Sequence, residues 1–152
     1  MDIVAETQRL QRLIDIYPEE KPFIEWGPKY SLEEETIDSH HLLIVQYINL
    51  LHLMIEKESH ELSIGSVFNA LKEFAVIHFA YEEEFFDEVN YEHTAEHKIE
   101  HKLFTTQVDE LFKKYQAGDE KMIQKLYEYL QNWLLKHILV HDKKYLGALK
   151  NR

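Results

Sequence analysis

The chain has no cysteine among its 152 residues. That excludes disulfides, thiolate metal sites, iron–sulfur clusters and cysteine nucleophiles. Proline and glycine are scarce, at three and four residues, which leaves long uninterrupted segments and favours helix. Positive charge is short as well: 17 Lys and Arg face 28 Asp and Glu, a formal net charge of −11. Nucleic acid needs cationic side chains to neutralise its phosphates, and an anionic membrane surface attracts the same residues, so neither partner is expected. No run approaches the roughly 18–20 apolar residues of a membrane-spanning helix, and the N-terminus lacks the basic and apolar regions of a secretory signal. The cytoplasm is the expected compartment. There is no glycine-rich phosphate loop, no candidate for covalent catalysis, and no period-2 alternation long enough to propose a strand.

What the sequence does have is histidine, ten residues of it. The stretch 74–86, FAVIHFAYEEEFF, is an apolar run that carries His78 and Glu82 one helical turn apart. Residues four apart share a helix face, and that face also takes Ile64, Val67, Leu71, Phe74 and Phe85. Two strong ligand types therefore sit in a core stripe, where an unpartnered polar group costs about 2–7 kcal/mol. A satisfied core histidine would explain one such pair, but the rest of the chain repeats the pattern.

At this length a single domain with a real core is expected. Residues 1–17 place Ile3, Leu10, Leu13, Ile14 and Tyr17 on one side of a short amphipathic helix, which either packs on the domain or docks a partner. Residues 18–22, Pro-Glu-Glu-Lys-Pro, break it, and 23–35 read as an ordered aromatic arm. A helix is expected from near Asp38 or a few residues before it, with Ile37, His41, Ile44, Ile48, Leu51 and Ile55 on its seam. His40 and His52 lie off that seam and are expected to be solvated or partly covered. A turn over 59–63 leads into the central helix, about 64–87. After a break at 89–91, a third helix from about Glu92 carries His97, His101, Phe104, Val108, Leu111 and Tyr115. Gly118 and Asp119 read as a helix end followed by an N-cap. The last helix, about 120–147, has Ile123, Leu126, Leu130, Trp133 and His137 on its seam. The expected fold is all-α: an up-down-up-down antiparallel four-helix bundle over 23–150, preceded by an extension over 1–22.

All four seams carry histidine: His41, His78, His97 with His101, and His137. Five imidazoles in one interior would need a costly polar network. Metal ligation resolves this, because imidazole binds through one nitrogen and satisfies the other by hydrogen bonding. Five imidazoles with carboxylates exceed the needs of one ion, so two are implied, with Glu82 the first candidate to bridge them. Zinc usually takes four ligands, whereas imidazole with carboxylate also suits iron. The second donor of the last helix stays open on spacing alone. His141 is four residues from His137 and fits an α-helical face, whereas Asp142 stands about 140° away and needs a wide or π-type turn.

These residues resemble the hemerythrin family. Its pattern is a lone histidine on the first helix, HxxxE on the second, HxxxH on the third and HxxxxD on the fourth. Here these read His41 in IDSHHLL, His78 and Glu82 in HFAYEE, His97 and His101 in HKIEH, and His137 and Asp142 in HILVHD. FIEW before the first helix and WLLKHI before the last pair agree as well. The resemblance covers about 23–145 and selects Asp142 over His141. It implies two iron ions, one held by His97, His101 and His137, the other by His41 and His78. Glu82, Asp142 and an oxo or hydroxo group would bridge them, and the open position on the two-histidine iron would take O2. Leu134 matches the family's leucine over the O2 pocket, and it serves core packing equally well.

Reversible O2 binding, for carriage, storage or sensing, is the reading this ligand balance favours over an enzyme: five neutral imidazoles with two carboxylates stabilise high iron oxidation states less than carboxylate-rich sites do. The alternative is an enzyme that uses the same irons to reduce peroxide or nitric oxide; a bundle binding adventitious metal is the plainest reading. Glu83, Glu84 and Asp38 are candidate acceptors for imidazole N–H groups, although most such residues belong to a solvated face. The tyrosines, Tyr81 and Tyr145 included, are read as packing. A polar outer face suits a monomer or weak homo-oligomer.

Overall fold

The long proline-free stretches fold as helix. The computed structural model describes residues 1–17, 21–57, 63–145 and 147, with the backbone alone at 138–141, 143 and 145. Among the described residues there are five α-helices and no strand: α1 (Ile3–Ile14), α2 (Glu35–Lys57), α3 (Ile64–Val89), α4 (Thr94–Gln116) and α5 (Met122–Trp133). A π-helical segment, Leu134–His141, and a 3₁₀ turn, Asp142–Tyr145, prolong α5. No described helix is long and apolar enough to cross a membrane.

Local chemistry sets the helix ends. The Asp2 carboxylate accepts the Ala5 N–H at 3.0 Å and starts α1. The Glu34 carboxylate accepts from the Ile37 N–H at 2.6 Å, so α2 begins at Glu35, three residues before Asp38. Ser63 Oγ accepts from the Ser66 N–H at the start of α3. At the end of α4, Gly118 takes φ +101°, where an L side chain is strained. The Gly118 N–H reaches the Tyr115 carbonyl and the Asp119 N–H reaches the Lys114 carbonyl, so the last carbonyls of α4 are satisfied. The expected turn at 59–62 and break at 18–20 lie outside the described residues.

α2 packs on α3 and α5, and α4 packs on the same two helices, giving a helical bundle. α1 lies along α2 on its remaining side. This explains why α2 is buried on almost every side from Leu43 to Met54 rather than along one seam. Ile3, Leu10 and Ile14 of α1 join the main core, each contributing about 1.5–3 kcal/mol of apolar burial. Polar contacts fix the register of α1. Tyr47 Oη donates to Glu6 Oε1 at 2.9 Å, Arg9 pairs with the same carboxylate, and Gln46 donates to Gln11. Burial opposes ionisation of Glu6, but the Arg9 and Tyr47 hydrogen bonds outweigh it and hold its carboxyl below the usual range. The arm is tied to α2 by Asn49, whose Oδ1 accepts from the Ile24 N–H at 2.7 Å and whose Nδ2 donates to the Ile24 carbonyl at 2.9 Å. A second apolar cluster, Leu32, Ile37, Phe85 and Phe86, lies apart from the main core.

Candidate metal centre

Helix spacing brings the seam histidines to one place. His41 of α2, His78 and Glu82 of α3, His97 and His101 of α4, and His137 and Asp142 after α5 are all buried, none more than 2 % exposed. Two groups of donor atoms converge: His41, His78, Glu82 and Asp142 form one, and Glu82, His101 and His137 the other, with Glu82 common to both. Asp142 Oδ2 lies 3.0 Å from His41 Nε2, while its Oδ1 lies 3.1 Å from His137 Nε2 and 3.2 Å from His97 Nε2. Glu82 meets His78 Nε2 closely and stands 3.6 Å from His101, 3.8 Å from His41 and 3.9 Å from His137. Each carboxylate thus faces imidazoles from several helices.

The π-helical segment is what admits Asp142. In an α-helix a residue five positions on stands about 140° away, whereas i→i+5 bonding stacks it near its starting residue. The Asp142 N–H bonds to the His137 carbonyl, so the wide turn spans the very pair that spacing alone could not align. The side chain of His141, the other candidate, lies outside the described residues, as does that of Tyr145.

Most of these donor atoms have no hydrogen-bond partner. His41 Nε2, His78 Nε2, His101 Nε2, His137 Nε2, both Glu82 oxygens and Asp142 Oδ2 are buried and unsatisfied. Such atoms cost about 1–3 kcal/mol each when left so. His97 Nε2 is hydrogen-bonded to Asp142 Oδ1 at 3.2 Å. Donor atoms that converge with so few hydrogen bonds among them are what a metal ion requires, and imidazole with carboxylate suits iron among other cations. The residues therefore fit a metal centre.

Aromatic rings wall the cluster. Phe79 stacks on His101 with centroids 4.0 Å apart, Trp133 on His137 at 4.3 Å, and Phe74 on His78 at 5.2 Å. Phe86 of the second apolar cluster meets His97 edge-on at 4.9 Å. Of the outward nitrogens, those of His101 and His78 are hydrogen-bonded, whereas those of His41 and His137 are not. His101 Nδ1 lies 3.0 Å from Glu83 Oε2, His137 Nδ1 lies 3.5 Å from Glu100 Oε2, and His78 Nδ1 lies 2.8 Å from His40 Nδ1. A cleft of about 360 Å³ lined by Glu100, Leu103, Tyr129, Asn132, Trp133, Lys136 and His137 reaches the Glu100 side of the centre.

Two of these neighbours, His40 and Glu100, amend the sequence expectations, and Glu83 agrees with them. His40, expected to be solvated or partly covered, is buried at 6 % exposure, because α3 brings His78, Phe74 and Tyr81 against it. Glu83 is an imidazole partner, whereas Glu84 is exposed and Asp38 instead accepts from the Leu32 N–H and Ser31 Oγ in the arm. Glu100 was not anticipated. Its signal was available: a buried imidazole needs both nitrogens satisfied, which directs attention to carboxylates one position off the seam.

Charge in the metal-free cluster follows from proximity. Burial pushes the Glu82 carboxyl up, but His78 and the other surrounding imidazoles outweigh it and hold it well below its usual range. Asp142 is depressed as well: burial and the Glu82 charge oppose this, and His137, His41 and His97 prevail. His137 is pushed up to about 10, because the Asp142 charge and the Glu100 and Glu82 carboxylates overcome burial. Burial lowers His78, and burial first, then His78 and His41, lowers His40 to about 4.

Fold and donor set together define a helical-bundle protein with a histidine–carboxylate centre able to hold metal. The family model for the hemerythrin HHE cation binding domain matches residues 33–149, and the chain belongs to the hemerythrin family. It is 32 % identical over 126 residues to a bacteriohemerythrin of Pseudomonas paraeruginosa, covering 83 % of this chain and 81 % of that one. A bacteriohemerythrin of Clostridium acetobutylicum is 26 % identical, covering 80 % and 97 %. A hemerythrin-like protein of Naegleria gruberi is 27 % identical, covering 82 % and 92 %.

Proposed function

We propose that this chain is a non-haem di-iron protein that binds O2 reversibly. The observation that carries this reading is the convergence of five imidazoles and two carboxylates whose metal-facing atoms are buried and largely unsatisfied. His97, His101 and His137 would hold one iron and His41 and His78 the other, with Glu82 and Asp142 shared between them. Two ferrous ions, when bound, supply the electrons that O2 takes up and gives back.

The chain's own residues do the rest. Glu83 holds the Nδ1 proton of His101 and so fixes that ring with Nε2 turned inward, while the Glu100 carboxylate stands 3.5 Å from His137 Nδ1 as a charge partner. Phe74, Phe79, Phe86 and Trp133 keep water from the cluster, which slows the loss of bound O2 as a reduced product. Leu134, wholly buried three residues before His137, belongs to the same dry wall. Imidazole outnumbers carboxylate among the donors, which favours a carrier over an enzyme that drives iron to high oxidation states. We read α2 to α5 as an up-down-up-down antiparallel bundle over 23–150, with 1–22 as an extension whose helix either packs or docks a partner. A cytoplasmic monomer or weak homo-oligomer is the expected form.

The test is anaerobic. Iron is counted per chain, the protein is reduced, and O2 is admitted and removed while the visible spectrum is recorded. Two irons, with a charge-transfer band that comes and goes with O2, are expected. Two irons with rapid irreversible oxidation would shift the function to reduction of peroxide or nitric oxide. A chain that takes up no iron would overturn the reading.

A further inference from the structure

Each imidazole that turns Nε2 toward a metal keeps a proton on Nδ1, and the group that accepts this proton sets how strongly the ring donates. The acceptors around this centre differ in kind. His101 Nδ1 is hydrogen-bonded to Glu83 Oε2, and His137 Nδ1 stands 3.5 Å from Glu100 Oε2 without a hydrogen bond. His78 faces another imidazole, with His40 Nδ1 at 2.8 Å, and His41 Nδ1 has no hydrogen-bond partner.

Two nitrogens 2.8 Å apart share a single proton. If His78 gives its Nε2 lone pair to a metal, the shared proton sits on His78 Nδ1. His40 then accepts through Nδ1 and carries its own proton on Nε2. The packing holds His40 in this pose: its ring lies edge-on to Tyr81 at 5.7 Å and to Phe74 at 6.4 Å, and the residue is 6 % exposed. A carboxylate acceptor raises the basicity of the imidazole it faces, and a neutral ring does so less.

Resting on the di-iron reading above, we propose that His40 is a positioning residue that widens the inequality which three histidines against two already give the two metal positions. It orients His78 through the Nδ1–Nδ1 hydrogen bond without the electron push that the hydrogen-bonded Glu83 carboxylate gives the other position. The ion held by His41 and His78 is therefore the more weakly held and the more electron-poor of the two.

The experiment titrates the metal-free full-length chain with Co(II) and follows visible absorption and stoichiometry. Wild type is expected to take two ions in two phases. His40→Phe keeps an aromatic ring against Tyr81 and Phe74 but cannot accept, so the weaker phase should lose about 10–100-fold in affinity while the stronger holds. His40→Glu should tighten the weaker phase, and His40→Gln, a neutral acceptor, should stay near wild type. Nitrogen-15 spectra of the Zn(II)-loaded chain should show His78 protonated on Nδ1 and His40 on Nε2. Equal binding by the Phe, Glu and Gln variants, a joint loss of both phases, or a proton on His40 Nδ1 would each overturn the proposal. A wild-type chain that takes up no Co(II) would instead overturn the reading of the centre itself.

Discussion

Leu134 is an apolar side chain whose role at the centre can be separated from its role in the core. It is wholly buried at the start of the π-helical segment. Truncation to alanine should cost about 2–5 kcal/mol through the cavity it leaves. If the side chain also keeps water from bound O2, Leu134→Ala should autoxidise faster even at a temperature where it is fully folded. Stopped-flow decay of the oxygenated form checks this, and an unchanged decay rate would leave Leu134 a packing residue only. The other donors and neighbours of the cluster were unequally visible in the sequence. His78 with Glu82 and His97 with His101 announce themselves, because turn-spaced ligand types on an apolar stripe need no tertiary knowledge. His40 did not, since its burial comes from Phe74 and Tyr81 of α3, and a helical wheel of its own segment places it off the seam. Glu100 escaped for the same reason: it is 27 % exposed and faces His137 across helices.

At the scale of elements, spacing located the helices well and their ends less well. α2 starts at Glu35 because the Glu34 side chain caps it, a contact that no periodicity encodes. The near-complete burial of α2 likewise follows from α1 lying on it, so a seam drawn from one helix understates it. The end of the chain's last helix is the informative case. Five-residue spacing between His137 and Asp142 is incompatible with a regular α-helical face, and the π-helical turn over Leu134–His141 resolves it. Deleting His141 would put the Asp142 carboxylate four residues from His137, where an α-helix suffices. On the di-iron reading, the expected result is the same two metal ions per chain that wild type would hold, with an amide hydrogen-exchange pattern of ordinary i→i+4 bonding through this segment. Loss of one ion in the deletion, with helicity intact by circular dichroism, would mean that the wide turn supplies more than rotation.

At the scale of the whole molecule, the metal-free protein carries an ionic cluster in its core, and this gives its stability a definite dependence on pH. His137 is raised from 6.5 to about 10 by Asp142, Glu100 and Glu82, and His41 is raised in the same direction, its burial outweighed by Asp142 and Glu82. A histidine whose folded pKa lies above its unfolded value contributes stability that is fully present below the unfolded pKa and lost as pH rises through the folded one. Glu82 and Asp142, both depressed, contribute stability that is lost only as pH falls below the ordinary carboxylate range. The metal-free chain should therefore melt at progressively lower temperature between pH 6.5 and 10. Metal binding demands neutral imidazoles, so affinity rises over the same interval, and the loaded chain should show no such decline. Scanning calorimetry of the chelated and loaded forms across this range is the measurement. His137→Asn should flatten the slope of the chelated form, because it removes the proton that Asp142, Glu100 and Glu82 hold. A chelated wild type whose melting temperature does not fall between these limits would mean that the cluster rearranges, or takes in water, once its ions are gone.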